Sequence, residues 1–147
     1  MSLKDKLMDD LKASMKDRDK VRKNVVTMIR AAIKQKEVDE RIELDDDGII
    51  DIISKQVKQK RDVIDDFKKG DRQDLVELTE KEIQILLEYL PLQLTEEELK
   101  VIVKAAIEEV GASSVKDMGK IMSNVLPKVK GRADGSLVNK IIRENLK

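Results

Sequence analysis

The apolar residues of this chain recur at intervals of three and four along nearly its whole length, which is the spacing of one face of an α-helix. A clear example is the apolar stripe near the start, at Leu3, Leu7, Leu11 and Met15. No stretch of four or more residues shows the strict alternation of a strand between turn residues. The pattern therefore predicts an all-α fold.

Capping residues, glycines and prolines predict where the helices begin and end. Four helices are expected before the first proline. Their predicted ends are near Asp17, in the polar run 34–41, at Gly70 and at Pro91.

The segment 90–95 is the best predicted boundary between two lobes. It contains one of only two prolines in the chain, and a capping box from Thr95 to Glu98 opens directly after it. We expect a four-helix N-terminal lobe over 1–92 and a three-helix C-terminal lobe over 93–147. In the second lobe, Gly111 is predicted to end the first helix, Pro127 to end the second and Asp134 to cap the third.

The chain contains no His, no Cys and no Trp, and its aromatic residues are Phe67 and Tyr89. Without His or Cys there is no Ser-His-Asp triad, no Cys-His pair and no ordinary zinc site. Two isolated aromatic residues cannot form a stacking platform for single-stranded nucleic acid. No active site is recognisable, and no metal or cofactor is expected.

The same composition bears on location. The absence of Cys fits a reducing compartment. The first ten residues, MSLKDKLMDD, carry charges where a signal peptide needs an apolar run, and no apolar stretch of membrane-spanning length follows. We therefore expect a cytoplasmic protein with no membrane association.

The formal net charge is zero, with 30 basic and 30 acidic residues, but the charges are unevenly distributed. Residues 113–147 carry eight basic side chains against three acidic ones. Such a local excess can bind phosphate even on a neutral protein. The alternative is that these are ordinary surface lysines that keep a small lobe soluble.

The segment 126–135, LPKVKGRADG, is the centre of that excess and is the first candidate site. Gly131 and Gly135 allow positive φ and close approach of a partner, and the helix that begins near Asp134 points amide donors outward.

A second basic tract, 16–36, has eight cations and two acids. It is more typical of a solvated helix face than of a binding groove, and it gains interest only if the fold brings it beside the C-terminal cations.

The segment 43–54 imitates the start of a calcium-binding loop, with acids at loop positions one, three, five and nine and Gly48 at position six. The imitation fails at position twelve, where Ser54 replaces the bidentate Glu. An acidic turn between helices is therefore the favoured interpretation, and no metal site is expected.

Several of these stretches resemble the GatB/YqeY family: MGKIM at 118–122, LPKVKGRADG at 126–135, and the junction formed by 89–91 and 94–98. The resemblance covers the whole chain, as a stand-alone member, and its most specific part is GRADG at 131–135. In tRNA-dependent amidotransferases that make Gln-tRNA(Gln) and Asn-tRNA(Asn), the B subunit ends in such a helical tail, which contacts the tRNA body.

The resemblance implies a two-lobe helical fold with a tRNA-facing surface. The cations that match this nucleic-acid-contacting role are Lys120, Lys128, Lys130, Arg132, Lys140 and Arg143. The glycines that would assist them are Gly119, Gly131 and Gly135, although Gly119 has a competing interpretation as a site of close helix packing. The large catalytic part of the B subunit has no counterpart here, so a carbon-nitrogen ligase with glutamine as amido-N-donor would lack its active site.

The leading hypothesis is a non-catalytic binding module for structured RNA, above all tRNA, that uses phosphate and shape contacts. The alternative is a protein-interaction accessory of an amidotransferase or another translation complex, without RNA binding of its own. An autonomous enzyme is the third and weakest hypothesis.

Overall fold

A computed structural model describes residues 2–146, and within that range the chain forms seven α-helices and no strand. The all-α prediction is confirmed, with four helices followed by three. The chain divides into two compact units, Met1–Leu90 and Pro91–Lys147, here called the N-terminal and C-terminal units. No helix within 2–146 has the length and apolarity needed to cross a bilayer.

The N-terminal unit is a four-helix assembly in which α1 packs on α2, α3 packs on α4, and α2 contacts both of the latter. Its helices are α1 (Leu3–Lys16), α2 (Lys20–Glu40), α3 (Asp46–Lys69) and α4 (Gln73–Leu87). The core between them consists of aliphatic side chains that the helical spacing brings to one side of each helix. Its fully buried members include Leu7, Ile29, Ile49, Ile53 and Leu86.

The helix α4 differs from the prediction, because it ends at Leu87 and not at Pro91. The helix α2 ends within the polar run 34–41 as predicted, at Glu40, and Arg41 caps it with a φ of 54°. The helix α3 ends at Lys69 as expected, but Gly70 has a φ of −84°, and Asp71 takes the left-handed conformation with a φ of 56°. Asp, like Asn, tolerates that conformation better than most residues, so the turn does not need the glycine.

One polar network ties α1, α2 and the end of α4 together. The buried Tyr89 donates its hydroxyl proton to a carboxylate oxygen of Asp10, and Arg22 donates to Glu88 at 2.6 Å. The ammonium group of Lys6 lies 5.2 Å from the centroid of the Tyr89 ring. Burial, helped by the hydrogen bond to Asp10, raises the pKa of Tyr89.

The C-terminal unit is a three-helix bundle in which each helix packs on the other two. Its helices are α5 (Glu96–Val110), α6 (Met118–Val129) and α7 (Gly135–Asn145), and a 3₁₀ turn at Val115–Asp117 leads into α6. Fully buried side chains from all three helices form its core, among them Leu99, Val103, Ile121, Val125, Val138 and Ile142.

Local signals set most boundaries of this bundle as expected. The capping box between Thr95 and Glu98 is formed in both directions, and Gly111 ends α5 with a φ of 66°. Asp134 caps α7 by accepting a 3.0 Å hydrogen bond from the Ser136 N–H.

Pro127 is the exception, because it lies inside α6 and does not end it. A proline removes a single backbone donor. The helix continues to Val129 because that side chain is buried one turn beyond Val125, and this packing holds the last turn in place.

Candidate nucleic-acid interface

The connection between α6 and α7 is held in place by the segment that precedes α5. The Leu94 N–H donates a 2.8 Å hydrogen bond to the carbonyl oxygen of Arg132. The Gln93 side-chain amide donates to the carbonyl oxygen of Gly131 at 2.6 Å, and Arg132 Nε donates to the carbonyl oxygen of Leu92 at 3.1 Å. Three hydrogen bonds therefore brace the loop that carries the GRADG stretch, and we call them the loop brace.

Of the three glycines assigned to this site, only Gly131 adopts a positive φ, at 73°. Gly135 is instead the first residue of α7 and lies exposed. A Cβ atom added at Gly119 would meet nothing within 4 Å, and Gly119 is also exposed. The close-packing interpretation of Gly119 is therefore wrong, because its side of α6 faces away from the core.

Lys128 and Arg132 make side-chain hydrogen bonds within the C-terminal unit. Lys128 Nζ lies 2.9 Å from the Asn124 side-chain oxygen and 3.3 Å from a carboxylate oxygen of Glu109. Arg132 is half-buried and uses Nε in the loop brace. Both side chains would have to rearrange, at least in part, to reach a ligand with all of their donors.

The other four candidates, Lys120, Lys130, Lys140 and Arg143, are exposed. Lys140 and Arg143 lie three residues apart on α7, and neither makes a side-chain hydrogen bond or ion pair with any residue in 2–146. They therefore offer free donors on the outer side of that helix.

Lys120 interacts electrostatically with Asp117. The backbone N–H groups of Ser113 and Ser114, together with the charge of Lys120, lower the pKa of Asp117 despite some desolvation. Asp117 is thus held ionised by the turn that it closes, and it partly offsets the charge of Lys120.

Charge is segregated among the helices of this unit. Residues 118–146 carry the six candidate cations against two acids, Asp134 and Glu144. The helix α5 has the opposite bias, with five Glu residues and two Lys. The cations of 118–146 can bind phosphate groups through point charges, but this stretch contains no imidazole or thiol for acid-base or nucleophilic chemistry.

The calcium-like segment has a structural role. Asp45 Oδ1 accepts a 2.9 Å hydrogen bond from the Gly48 N–H at the start of α3, and Asp46 Oδ1 accepts from the Leu3 N–H at 3.0 Å. In the part of the chain that the structure describes, no three potential ligands from His, Cys, Asp or Glu are grouped to hold a metal ion.

Gln93 belongs to the loop brace, although the sequence did not indicate it as a site residue. Its partner Gly131 lies 38 positions away, and neither charge nor periodicity marks the pair. The nearest signal in the sequence is the leucine content of 90–94, and Leu94 packs on the C-terminal core.

The fold and the braced, cation-rich loop define a class: all-helical proteins of two units whose C-terminal bundle has a cation-rich connection between its last two helices. A family model described as "Yqey-like protein" matches residues 4–146. The chain therefore belongs to the YqeY family.

The chain is similar to several fungal proteins named "Altered inheritance of mitochondria protein 41, mitochondrial". The relative from Lachancea thermotolerans is 40% identical over 85 residues, which is 57% of this chain and 46% of that protein. The relative from Eremothecium gossypii has the same identity and coverage. The chain thus spans about half the length of these relatives. The relative from Pyrenophora tritici-repentis is 32% identical over 95% of this chain and 78% of its own length.

These names contradict the cytoplasmic location expected from the sequence, because the relatives are described as mitochondrial proteins. The expectation rested on the absence of Cys, which indicates a reducing environment, on charged first residues that do not fit a secretory signal, and on the lack of a membrane-spanning stretch. None of these criteria separates one reducing compartment from another, so they could not support the cytoplasm in particular.

Proposed function

We propose that this protein is a non-catalytic binding module for structured RNA, with tRNA as its ligand. In this proposal the cations of residues 118–146 make the contacts. The observation that carries the proposal is the combination of a braced loop with exposed cations on α6, on the loop and on α7. A preorganised set of cations loses less conformational entropy on binding than a mobile one. The resemblance to the tail of amidotransferase B subunits supports the choice of ligand.

The contacts would be to phosphates and to the shape of the RNA. No Trp and only two other aromatic residues are available for base stacking, and neither aromatic lies in the C-terminal unit. Lys and Arg donate to phosphate oxygens without reading sequence. Affinity should therefore depend strongly on salt and weakly on the sequence of the RNA.

The test is fluorescence anisotropy of a labelled tRNA transcript over a salt series, with a duplex DNA of equal length as comparison. The variant K140Q/R143Q removes the two free cations of α7. The matched control K100Q/K104Q removes two exposed cations from the acidic helix α5 of the same unit.

We expect micromolar binding by the wild type, a clear loss in K140Q/R143Q, and little change in the control. No binding of tRNA at low salt, or equal losses in the two variants, would contradict the proposal. A partner complex that contains amidotransferase subunits and survives nuclease treatment, combined with no tRNA binding, would support the protein-accessory alternative instead.

A further inference from the structure

A second group of exposed cations lies along α2 in the N-terminal unit. Lys20, Lys23, Arg30 and Lys34 are exposed or half-exposed, and we call them the α2 basic face. A helix turns about 100° per residue, so these positions fall within an arc of about 80°. The apolar side of the same helix is buried at Val25, Val26, Ile29 and Ile33.

The charge of this face is not neutralised by its own helix. The segment 20–36 contains no Asp or Glu. The next acid, Glu37, accepts a 2.6 Å hydrogen bond from Lys4 and a 2.8 Å hydrogen bond from the Leu44 N–H. None of the four cations makes a side-chain hydrogen bond or ion pair with another residue in the described range 2–146.

Arg22 provides the contrast on the same helix. It donates to Glu88 at 2.6 Å, and this hydrogen bond raises the pKa of its guanidinium despite partial burial. Arg22 is thus committed to the packing of the unit, whereas the α2 basic face is not.

An open groove of about 750 Å³ runs beside this face, between α1 and α2. Arg30 and Lys34 line it from α2, with Lys4 opposite on α1. The acids on its walls are Asp5 and Glu37, and the second of these is paired with Lys4. The groove therefore gives an anionic group access to Arg30 and Lys34, and the other two cations of the α2 basic face lie outside its lining.

The length and spacing of the α2 basic face favour an extended polyanion. From Lys20 to Lys34 the helix rises about 21 Å, at 1.5 Å per residue. An interfacial membrane helix would need an apolar face to insert into lipid, and the apolar face of α2 is already buried in the core. A backbone of regularly spaced phosphates needs no such face.

We propose that the α2 basic face is a second phosphate-binding surface for structured RNA, separate from the one on the C-terminal unit. This inference rests on the proposed RNA-binding function. It assigns to the N-terminal unit a direct part in binding that neither the family resemblance nor the basic loop requires.

The test uses the full chain and the same labelled tRNA transcript, titrated at several salt concentrations. The variant K20Q/K23Q/R30Q/K34Q removes the α2 basic face. The matched control K55Q/K58Q/R61Q/K68Q removes three lysines and one arginine from exposed positions of α3, where acids are interspersed. Circular dichroism and thermal melting check that both variants fold, as expected for exposed substitutions.

If the four cations contact phosphates, the slope of log K against log salt should fall in magnitude by about 3 in the α2 variant, at about 0.7–0.9 per contact. Its affinity at moderate salt should drop at least about tenfold, while the α3 control stays within about twofold. Equal effects of the two variants, with wild-type binding intact and K140Q/R143Q impaired, would overturn this inference and leave the proposed function standing.

Absence of tRNA binding by the wild type would overturn both. Two further probes separate other anions from RNA: vesicles of phosphatidylcholine and phosphatidylserine, and polyglutamate. If the α2 variant keeps its tRNA affinity but loses binding to either probe, the face serves that class of partner and the RNA assignment is wrong.

Discussion

The ammonium group of Lys128 lies 3.3 Å from a carboxylate oxygen of Glu109, so one candidate RNA contact is paired with the acidic helix α5. Both side chains are about half exposed, at 47% and 61%, and such pairs contribute little to stability. The proposed function then predicts that E109Q tightens tRNA binding by about two- to fivefold, because Lys128 is released for phosphate. The free energy of unfolding should change by less than about 1 kcal/mol.

The control for this prediction is E108Q, which changes the net charge equally at an exposed neighbour that has no ion pair within 2–146. Anisotropy with the tRNA transcript measures both variants. Identical tightening in E108Q and E109Q would mean that only net charge matters and that the pairing with Lys128 does not.

The capping box of α5 predicts a pH-dependent stability. Hydrogen bonds from the backbone N–H and the hydroxyl of Thr95 lower the pKa of Glu98 from its ordinary value of 4.5. A lowered pKa in the folded state means that ionised Glu98 stabilises the fold above about pH 5, and that this contribution is lost as the pH falls through the lowered pKa.

We therefore expect E98Q to be less stable than the wild type near neutral pH and equally stable in acid. Urea unfolding over a pH series measures the difference. In a T95A background the effect of E98Q should shrink in part, because the Thr95 hydroxyl is lost while the Thr95 backbone N–H still donates to the carboxylate. A difference that does not change with pH would refute this reading of the capping box.

Tyr89 gives a prediction that spectroscopy can address directly, because it is the single Tyr of a chain without Trp. Burial and the hydrogen bond to Asp10 should move its ionisation well above the ordinary pKa of 10. The ultraviolet absorbance of tyrosinate should therefore appear at higher pH in the native protein than in urea, and D10N should lower the midpoint. A native midpoint near the ordinary value would show that the Asp10 contact does not form.

Two glycines that look alike in the sequence should respond oppositely to alanine. Gly111 has a φ of 66°, so G111A forces a Cβ into the left-handed region and should destabilise the protein by about 1 kcal/mol. Gly119 is helical, exposed and surrounded by open space, so G119A should stabilise it by about 0.5 kcal/mol. Thermal or urea unfolding of the pair measures both signs, and destabilisation by G119A would restore a packing role for Gly119.

The parts of the fold that were predictable from sequence depend on neighbours within one or two turns. Apolar spacing, the Thr95–Glu98 box and the Asp134 cap are all local, and all three formed as expected. Pro127 failed as a stop signal because burial of Val129, a tertiary effect, outweighs one missing donor. A proline pattern alone contains no information about that burial.

The candidate site was predictable in composition but not in arrangement. The six cations could be named from the sequence, whereas the pairing of Lys128 with Glu109 and of Arg132 with Leu92 depends on residues 19 and 40 positions away. Gln93 was not predictable for the same reason, because its partner Gly131 lies 38 positions away. Charge counts identify which side chains are available, and only the packing of the bundle decides which of them are already in use.

The loop brace also affects the order in which this unit can be completed. Its hydrogen bonds join residues about 40 positions apart, so their formation carries the entropy cost of closing a long chain loop. During synthesis from the N-terminus, the segment 92–94 is made well before its partner at 131–132 exists. The cationic loop therefore gains its final path only when the whole C-terminal bundle has been synthesised, and a nascent or truncated chain would present the same charges without the same geometry.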